Sequence, residues 1–254
     1  MANYKKHFDN KLCLITGGGS GIGRALALLM AQNGAQVVVS GRNIERIEEV
    51  SATYDNIIPL QLDATDKSSW KRLADHFEKE SSTPDFIVHN AGACKYIDLP
   101  NFSSEVFEEI MNVNFMGVVN GISTFLPKML KENKGHIIAV TSSVARLPLP
   151  RAEAYGASKA AATYMIDSLR IALSETNIKL TTVMPGFVET PMTDQNDFPM
   201  PFIIKPELAA ERIMKGIAKG KKDIFFPNRF TWPLRFIASL PTSLAYQFTK
   251  RLKR

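Results

Sequence analysis

The sequence predicts an α/β protein with a seven-stranded parallel sheet and helices on both faces, and three observations support this. Short apolar runs rich in Val, Ile and Leu alternate with longer amphipathic stretches along the 254 residues. The runs show almost no alternation of apolar and polar residues, which is typical of strands buried on both faces. No internal repeat or low-complexity linker interrupts the series, so one domain over residues 1–254 is expected.

The predicted elements alternate strictly, and the series begins and ends with a strand. The strands are LCLIT (12–16), VVVS (37–40), IIPLQL (57–62), FIVH (86–89), HIIAVTS (136–142), KLTTVM (179–184) and DIFF (223–226). The helices between them are 22–33, 43–52, 67–80, 104–131, 153–175 and 206–219. Because β–α–β crossovers are right-handed, such a series makes a doubly wound sheet with helices in two outer layers.

Composition narrows the class of protein further. At 45% hydrophobic and 22% charged residues, the chain matches an ordinary soluble globular protein. Two cysteines exclude a disulfide scaffold and favour a reducing, cytoplasmic location. The four histidines lack ligand spacing, so no metal is expected, and the N-terminus lacks the apolar core of a signal peptide.

The net charge of +6 is unevenly distributed. Residues 205–254 hold 12 Lys and Arg against 3 Asp and Glu, a balance of +9, so the rest of the chain carries −3. No nucleic-acid-binding motif accompanies these charges, so a nucleic-acid partner is not expected.

A glycine-rich turn follows the first strand and opens the next helix. Glycines at such a turn let the backbone approach a pyrophosphate, which the free N–H groups of the helix start can bind, although a similar turn can serve packing alone. The spacing is T-G-x-x-x-G-x-G, and it resembles that of the short-chain dehydrogenase/reductase family, in the single-domain branch whose cofactor motif comes first. The resemblance implies a three-layer doubly wound Rossmann fold that binds NAD(P). Its candidate pyrophosphate contacts are Gly17, Ser20, Gly21, Ile22 and Gly23.

The end of the second strand bears on the choice of cofactor. An acidic residue there binds the adenosine ribose of NAD, whereas a nearby Arg suits the 2′-phosphate of NADP. Here Gly41 stands in place of the acid and Arg42 follows it. The pattern favours NADP over NAD, although Arg42 could be a solvated residue at a helix start and the glycine turn has no basic residue of its own.

Two further strand ends match adenosine-binding positions of the family. By the resemblance, Asp63 bonds the adenine and Ala64 touches its ring, while Asn90, Ala91 and Gly92 pass beneath the ribose. The alternatives are a helix N-cap for Asp63 and a plain turn for the Asn-Ala-Gly stretch.

The candidate catalytic residues follow the fifth strand. Tyr155 and Lys159 form Y-x-x-x-K on one face of a predicted helix, and Ser142 lies thirteen positions before Tyr155, the family's own distance, which favours it over Ser143. A phenol has a pKa near 10. We expect Lys159 and an oxidised nicotinamide to lower it, so that Tyr155 can exchange a proton with a substrate oxygen held by Ser142. The resemblance also has Lys159 bond the nicotinamide ribose.

Asn114 lies in the predicted helix 104–131 and matches the family's asparagine that supports a proton-relaying water. The alternative is a mid-helix Asn with a local backbone bond, which is how we interpret Asn112 and Asn120.

After the sixth strand, Pro185-Gly186 opens a stretch that crosses the nicotinamide in the family. The resemblance assigns the backbone of Val188 to the carboxamide and Thr190 to the same end of the cofactor. The alternative is a Pro-Gly turn.

Substrate specificity should reside in two loops, one over residues 144–151 and the other a lid over residues 190–205. The candidate substrate contacts are Ser142, Val144, Tyr155, Phe187 and Met192. The Met and aromatic residues of the lid favour a bulky, apolar carbonyl or alcohol, such as a steroid-like or acyl-chain compound, unless they only pack the lid onto the body. Arg146 and Arg151 could meet an acidic group or be solvated.

Residues 227–254 form a basic and aromatic extension beyond the family core. It contains no run long enough to span a bilayer. Peripheral contact with an anionic membrane, a subunit contact and a flap over the pocket all remain open.

The whole pattern indicates an NADP-dependent oxidoreductase acting on a bulky, apolar ketone or secondary alcohol, assembled as a homodimer or homotetramer. Isomerase or epimerase chemistry with retained cofactor, and a non-catalytic NADPH-sensing regulator, are the alternatives.

Overall fold

The computed structural model describes residues 4–250 and places all seven predicted strands in one parallel sheet. The strands are β1 (Leu12–Thr16), β2 (Gln36–Gly41), β3 (Ile57–Gln61), β4 (Phe86–His89), β5 (His136–Val140), β6 (Lys179–Pro185) and β7 (Asp223–Phe226). Their order is β3-β2-β1-β4-β5-β6-β7, so the winding direction reverses between β1 and β4. The predicted doubly wound Rossmann fold is confirmed, and ligands bind such sheets at this reversal.

Ten α-helices surround or follow the sheet in the described part of the chain. They are α1 (Lys5–Phe8), α2 (Gly21–Gln32), α3 (Ile44–Ser51), α4 (Lys67–Lys79), α5 (Ser104–Met111), α6 (Gly117–Glu132), α7 (Glu153–Ala172), α8 (Pro206–Ala218), α9 (Asn228–Ala238) and α10 (Thr242–Lys250). Asn43 and Asp66 cap α3 and α4, since each side chain accepts bonds from backbone N–H groups of the first turn.

Both faces of the sheet are buried, which explains the unbroken apolar runs of the sequence. Ile15 and Val39 pack with α2, α3 and α8 on one face, whereas Leu14 and Val38 pack with α4, α6 and α7 on the other. All four side chains are at most 1% exposed. Neighbouring residues of one strand therefore serve two separate cores, and both faces of the sheet are mainly apolar.

The predicted helix over 104–131 is wrong as one continuous α-helix. A π-helical turn over Asn112–Met116 separates α5 from α6, and the N–H of Gly117 donates to the carbonyl of Asn112 five residues back. Such turns often occur at functional sites because they move one side chain out of the α-helical pattern. Here the buried side chain in the turn is Asn114.

The C-terminal extension forms α9 and α10, and its last residues, 251–254, lie outside the described part of the chain. The inner side of α9 is fixed to the body, since the Phe230 ring packs against Phe187 at 5.0 Å between centroids and Thr231 is 1% exposed. Within residues 4–250, no helix combines the length and apolar character needed to cross a bilayer.

Candidate active site

In the turn between β1 and α2, glycine is required at two positions where a larger residue would clash. Gly17 has a φ of +65°, and a Cβ there would lie 2.8 Å from Cα of Ala91. A Cβ on Gly23 would lie 2.3 Å from the carbonyl oxygen of Gly17. The backbone of the turn therefore packs directly against the loop after β4, which leaves the start of α2 facing the groove where the sheet reverses.

The start of α2 is suited to an anion. Ser20 is the N-cap residue, but its side chain makes no capping bond, and the first turn contains no acidic residue. The N–H groups of this turn have no partner within the helix, and the helix dipole adds positive potential. Thr190 lies beside this turn, because a Cβ on Gly21 would be 2.7 Å from its Cγ2. These features fit the pyrophosphate of a dinucleotide.

Asn90 shapes the turn rather than facing the groove. Its side-chain amide donates to the carbonyl oxygens of Thr16 and Gly17, both at 3.1 Å. The Thr16 hydroxyl oxygen accepts bonds from the backbone N–H groups of Asn90 and Ala91, both at 3.0 Å. The plain-turn alternative is therefore insufficient, because the Asn-Ala-Gly stretch fixes the conformation of the glycine turn.

Arg42, the residue predicted to favour NADP, follows Gly41 at the end of β2. Arg42 is exposed, and the described part of the chain gives its side chain no ion pair. A Cβ on Gly41 would meet only Cγ2 of Ile47, at 3.5 Å, so the glycine is not required by packing. Arg46 lies close by, since a Cβ on Gly19 would be 3.1 Å from its own Cβ. Two cations therefore border this end of the groove.

Asp63 does not cap the following helix, so that alternative is wrong. Its carboxylate accepts bonds from the backbone and hydroxyl of Thr65, at 2.9 and 2.8 Å, while Asp66 is the cap. The carbonyl of Ala64 accepts bonds from the Trp70 indole and the Asn120 amide, at 2.9 and 3.1 Å. The local backbone bond expected for Asn120 is therefore also wrong, because its amide fixes the loop after β3.

Tyr155 and Ser142 come together in the structure. The Ser142 hydroxyl lies close enough to the Tyr155 hydroxyl to lower the pKa of the phenol. Burial has the larger effect and raises the pKa of Tyr155 above its usual value near 10, and the nearby Cys94 raises it further. The prediction that Lys159 lowers the pKa of Tyr155 is therefore wrong for the protein without its cofactor, because the effect of burial is larger.

Lys159 lies one helical turn from Tyr155, with its Nζ 5.8 Å from the centroid of the Tyr155 ring. Its ammonium donates to the carbonyl of Val140 at 3.0 Å, which leaves two further N–H groups. Burial lowers the pKa of Lys159 to about 8, while Cys94 acts in the opposite direction. The ammonium therefore projects into a dry region at the end of β5.

Asn114 bonds residues far away in the sequence, so the expected alternative of a local backbone bond is wrong. Its amide oxygen accepts from the N–H of Ala93 at 2.8 Å, and its amide nitrogen donates to the Ala93 carbonyl and the Ser158 hydroxyl, both at 2.9 Å. A Cβ on Gly92 would lie 3.1 Å from this oxygen and 3.2 Å from Nζ of Lys159. Asn114 and Lys159 are therefore close neighbours.

Three residues near this group were missed by sequence reasoning. Cys94 and Tyr96 follow the Asn-Ala-Gly stretch and interact with Tyr155, and Ser158 bonds both Asn114 and the Tyr155 carbonyl. For Cys94 and Tyr96, a position just beyond a recognised strand end was the available signal, whereas Ser158 lies between Tyr155 and Lys159. Burial raises the pKa values of Cys94 and Tyr96, so both groups are neutral near pH 7.

The segment 190–205, which we predict to be a lid, contacts the site through aromatic and polar side chains. The Phe198 ring packs edge-on against Tyr96 at 5.6 Å and lies 6.1 Å from Phe187. Arg151 pairs with Asp197 of the lid at 2.8 Å and lies over the Tyr96 ring at 5.1 Å. The acid that meets Arg151 is therefore the protein's own, as is Asp167, which pairs with Arg146 at 3.0 Å.

The remaining candidate substrate contacts are half-buried. Val144 follows the Ser142 turn, Phe187 lies between Phe198 and Phe230, and Met192 is on the first turn of the lid. Val188 is 3% exposed and pairs with Ile204 in an isolated bridge, so the lid leaves and rejoins the body at one point.

Comparison with known proteins identifies the family. A family model described as short chain dehydrogenase matches residues 11–199. An uncharacterized oxidoreductase of Myxococcus xanthus is 32% identical over 96% of this chain and 98% of its own length. The chain belongs to the short-chain dehydrogenase/reductase family. It is an oxidoreductase with the NAD(P)-binding fold of that family.

Two other relatives have names that state different substrates. The chain is 34% identical to 11-beta-hydroxysteroid dehydrogenase-like 3 of Arabidopsis thaliana, over 89% of this chain and 77% of that protein. It is 33% identical to the 3-oxoacyl-[acyl-carrier-protein] reductase FabG of Thermotoga maritima, over 84% and 85% of the two chains.

Solved structures support the same fold with either cofactor. A short-chain dehydrogenase/reductase of Burkholderia phymatum in complex with NAD has a TM-score of 0.82 at 24% identity, covering 92% of this chain and 94% of its own. A short-chain dehydrogenase of Burkholderia cenocepacia in complex with NADP gives the same score and identity over 97% and 99%.

Proposed function

We propose that this chain is an NADP-dependent carbonyl reductase or alcohol dehydrogenase that converts a bulky, apolar ketone and its secondary alcohol. The observation that carries the proposal is the convergence of the Ser142 and Tyr155 hydroxyls with the Lys159 ammonium at the end of β5. Protonating a new alkoxide needs an acid beside the substrate oxygen, and this group offers one in a buried setting.

Each side chain has a distinct part in this reaction. When bound, the nicotinamide supplies or accepts the hydride. Ser142 holds the substrate oxygen by a hydrogen bond, and Tyr155 donates its proton to that oxygen during reduction. The two remaining N–H groups of Lys159 would bind the nicotinamide ribose, and its positive charge would oppose the increase that burial causes in the pKa of Tyr155. Asn114, next to Lys159, would support a water through which Tyr155 regains its proton from solvent.

The groove offers contacts for the rest of the cofactor. The start of α2, with Gly17, Ser20, Gly21, Ile22 and Gly23, would bind the pyrophosphate. The adenosine would lie along Asp63, Ala64 and the Asn90-Ala91-Gly92 stretch, and the carboxamide against Pro185, Gly186, Val188 and Thr190.

The NADP preference is supported by charge at the end of β2. Arg42 is exposed beside Gly41, where an acidic residue would repel a 2′-phosphate and is absent. A guanidinium can pair with phosphate oxygens through two hydrogen bonds. Arg46, beside Gly19, adds a second cation to the same region.

A bulky, apolar substrate is supported by the surroundings of Tyr155. The rings of Tyr96 and Phe187 each pack against Phe198 of the lid, and Val144 and Met192 are partly buried residues that follow Ser142 and Thr190 in the sequence. Such rings bury large apolar areas against a ligand. Two relatives are named for a hydroxysteroid and a 3-oxoacyl substrate, which belong to the same lipophilic class.

We also propose that the chain acts in the cytoplasm as a homodimer or homotetramer. Tyr164 and Ile171 on α7 are 77% and 78% exposed, an unusual exposure for large apolar side chains on a long helix. A second copy of α7 would cover them.

The test is a calorimetric titration of the chain with NADPH and with NADH, repeated with Arg42→Ala, followed by a screen of ketones with the preferred cofactor. We expect tighter binding of NADPH, loss of that preference in Arg42→Ala, and turnover of lipophilic ketones. Product formation without net change in NADPH would indicate an isomerase or epimerase instead. Binding without turnover of any substrate would indicate a cofactor-sensing regulator.

A further inference from the structure

The helices α9 and α10 expose large apolar side chains. On α9, Trp232 is 69% and Phe236 61% exposed, and their spacing of four residues places them on one face. On α10, Leu244 and Phe248 repeat this spacing, and each is 50% exposed. Groups of exposed large apolar residues usually mark an interaction surface.

The exposed side chains of α9 belong to a helix that is firmly packed against the body of the protein. Its inner side is tied to the body by Phe230 against Phe187 and by the buried Thr231. The Arg235 guanidinium lies over the Phe225 ring of β7 at 4.2 Å. The helix is therefore held in a fixed orientation that directs Trp232 and Phe236 into solvent.

A strongly basic cavity adjoins this helix. The cavity, of about 710 Å³, lies between α8, β7 and the start of α9, and no acidic residue lines it. Its five cationic lining residues are Arg212, Lys215, Lys219, Lys221 and Arg229. Residues 224–254 add no Asp or Glu at all. Such a concentration of like charge attracts anionic partners.

Arg229 joins the cavity to the exposed aromatic residues. It lines the cavity and lies three residues before Trp232, so both residues share one side of α9. We call the five cavity cations and the four exposed residues Trp232, Phe236, Leu244 and Phe248 the basic-aromatic surface. On α9, a cationic group and apolar side chains are thus presented together.

We propose that the basic-aromatic surface binds the surface of an anionic phospholipid bilayer. Cations would meet lipid phosphates, and Trp232, Phe236, Leu244 and Phe248 would enter the boundary between headgroups and acyl chains, where aromatic rings are favoured. A second copy is a poorer partner, because it would bring the same positive charge face to face. An acidic protein would match the charge, but it would match the four exposed apolar side chains of α9 and α10 less well.

The surface is continuous with the lid. Phe202, Ile203 and Ile204 line the same cavity, and Phe187 beneath the lid packs against α9. Binding to a bilayer would therefore bring the lid to the lipid surface. If the proposed function holds, a lipophilic ketone could pass from the bilayer to Tyr155 without crossing water, but the membrane contact itself does not depend on that function.

Intrinsic fluorescence of the full chain tests the contact. The chain has two tryptophans, of which Trp70 is 1% exposed and Trp232 is exposed. We expect vesicles of phosphatidylcholine mixed with phosphatidylglycerol to shift the emission to shorter wavelength, and vesicles of phosphatidylcholine alone to shift it less. The shift should be lost in Trp232→Phe, while co-sedimentation with the vesicles persists.

Co-sedimentation of variants tests both parts of the surface. Trp232→Ser should weaken partitioning about tenfold, and Lys219→Glu about fivefold or more, with a weaker effect at high salt. Leu99→Ser and Lys71→Glu are the matched controls, because Leu99 is 64% exposed and Lys71 is exposed outside this surface. Both controls should sediment like the unchanged chain.

Three results would overturn the proposal. The chain could remain in the supernatant with anionic vesicles. Trp232→Ser could sediment as well as the unchanged chain. Trp232→Ser could alter the molar mass measured by light scattering without altering vesicle binding, which would make this surface a contact between copies.

Discussion

The side-chain amide of Asn114 donates a hydrogen bond of 2.9 Å to the hydroxyl of Ser158. This bond joins the π-helical turn to α7, the helix that carries Tyr155 and Lys159. Ser158 is fully buried and also donates to the Tyr155 carbonyl at 2.7 Å. Ser158 is therefore a positioning residue that sets the place of Asn114 relative to the candidate acid.

We predict that Ser158→Ala lowers both stability and turnover. An N–H of Asn114 would be buried without a partner, which costs about 1–3 kcal/mol in the free energy of unfolding. In a ketone-reduction assay, kcat should fall about tenfold with the KM for the ketone unchanged, because only proton delivery is disturbed. Ser123→Ala is the control, since that hydroxyl donates only to the Asn120 carbonyl of its own helix. A purely structural role would lower the midpoint of unfolding and leave kcat and its pH profile unaltered.

Cofactor preference should reverse with one substitution at the end of β2. In Gly41→Asp, the added carboxylate would bind the adenosine ribose hydroxyls and repel a 2′-phosphate, so the ratio of the Kd values for NADPH and NADH should rise about a hundredfold. A Cβ fits at this position, with its nearest contact at 3.5 Å. Gly41→Ala is therefore the matched control and should keep the original ratio. Equal ratios in the two variants, measured by calorimetry, would argue against a phosphate site at Arg42.

Two helical glycines should respond in opposite directions to alanine. In Gly121→Ala, the new Cβ would lie 2.3 Å from Cε1 of His89 and 2.6 Å from Cη2 of Trp70, so α6 must move away from the sheet. We expect a loss of about 1–3 kcal/mol in the free energy of unfolding. In Gly156→Ala, the Cβ meets no atom within 4 Å, and the helix should gain about 0.5–1 kcal/mol. Chemical denaturation measures both, and a stabilised Gly121→Ala would show that this helix contact is looser than described.

Stability should fall as the pH is lowered from about 6.5 to about 4. Burial lowers the pKa of His89 and of His136 from 6.5 to about 4 each, with Lys179 adding to the effect at His136. In this window the unfolded chain binds more protons than the folded chain, so acid favours unfolding. Denaturation midpoints across the window should decline steadily, and the decline should be unchanged in His7→Gln, whose side chain is exposed. A flat profile would mean that both rings keep their ordinary pKa values when folded.

The sheet could be predicted because its strands are buried on both faces, whereas the division of the helices could not. Leu14 and Ile15 serve two different cores, and this leaves a continuous apolar run in the sequence. The π-helical turn around Asn114 leaves no such signal, because it depends on bonds to Ala93 and Ser158, both distant in the sequence. The helices α9 and α10 were not predicted, because residues 228–250 contain Pro233 and carry large apolar side chains on the exposed face.

The residues of the candidate site could be predicted where a sequence motif fixes their spacing. They could not be predicted where tertiary contacts bring them to the site. Tyr155 and Lys159 meet because four residues make one helical turn. Cys94 and Tyr96 reach the same site from the loop after β4, for which the family pattern gave no expectation. The pKa of Tyr155 was also beyond the sequence, since its direction depends on how deeply the ring is buried.

The most direct measurement is steady-state oxidation of NADPH by Tyr155→Phe compared with Tyr164→Phe on the same helix. Tyr164 is 77% exposed and lies nine residues after Tyr155 on α7, which places it on the opposite face of the helix, so its variant is the matched control. We predict that Tyr155→Phe binds NADPH normally but loses ketone reduction by about 10²-fold or more, while Tyr164→Phe keeps full activity. Undiminished turnover in Tyr155→Phe would contradict the assignment of this phenol as the acid.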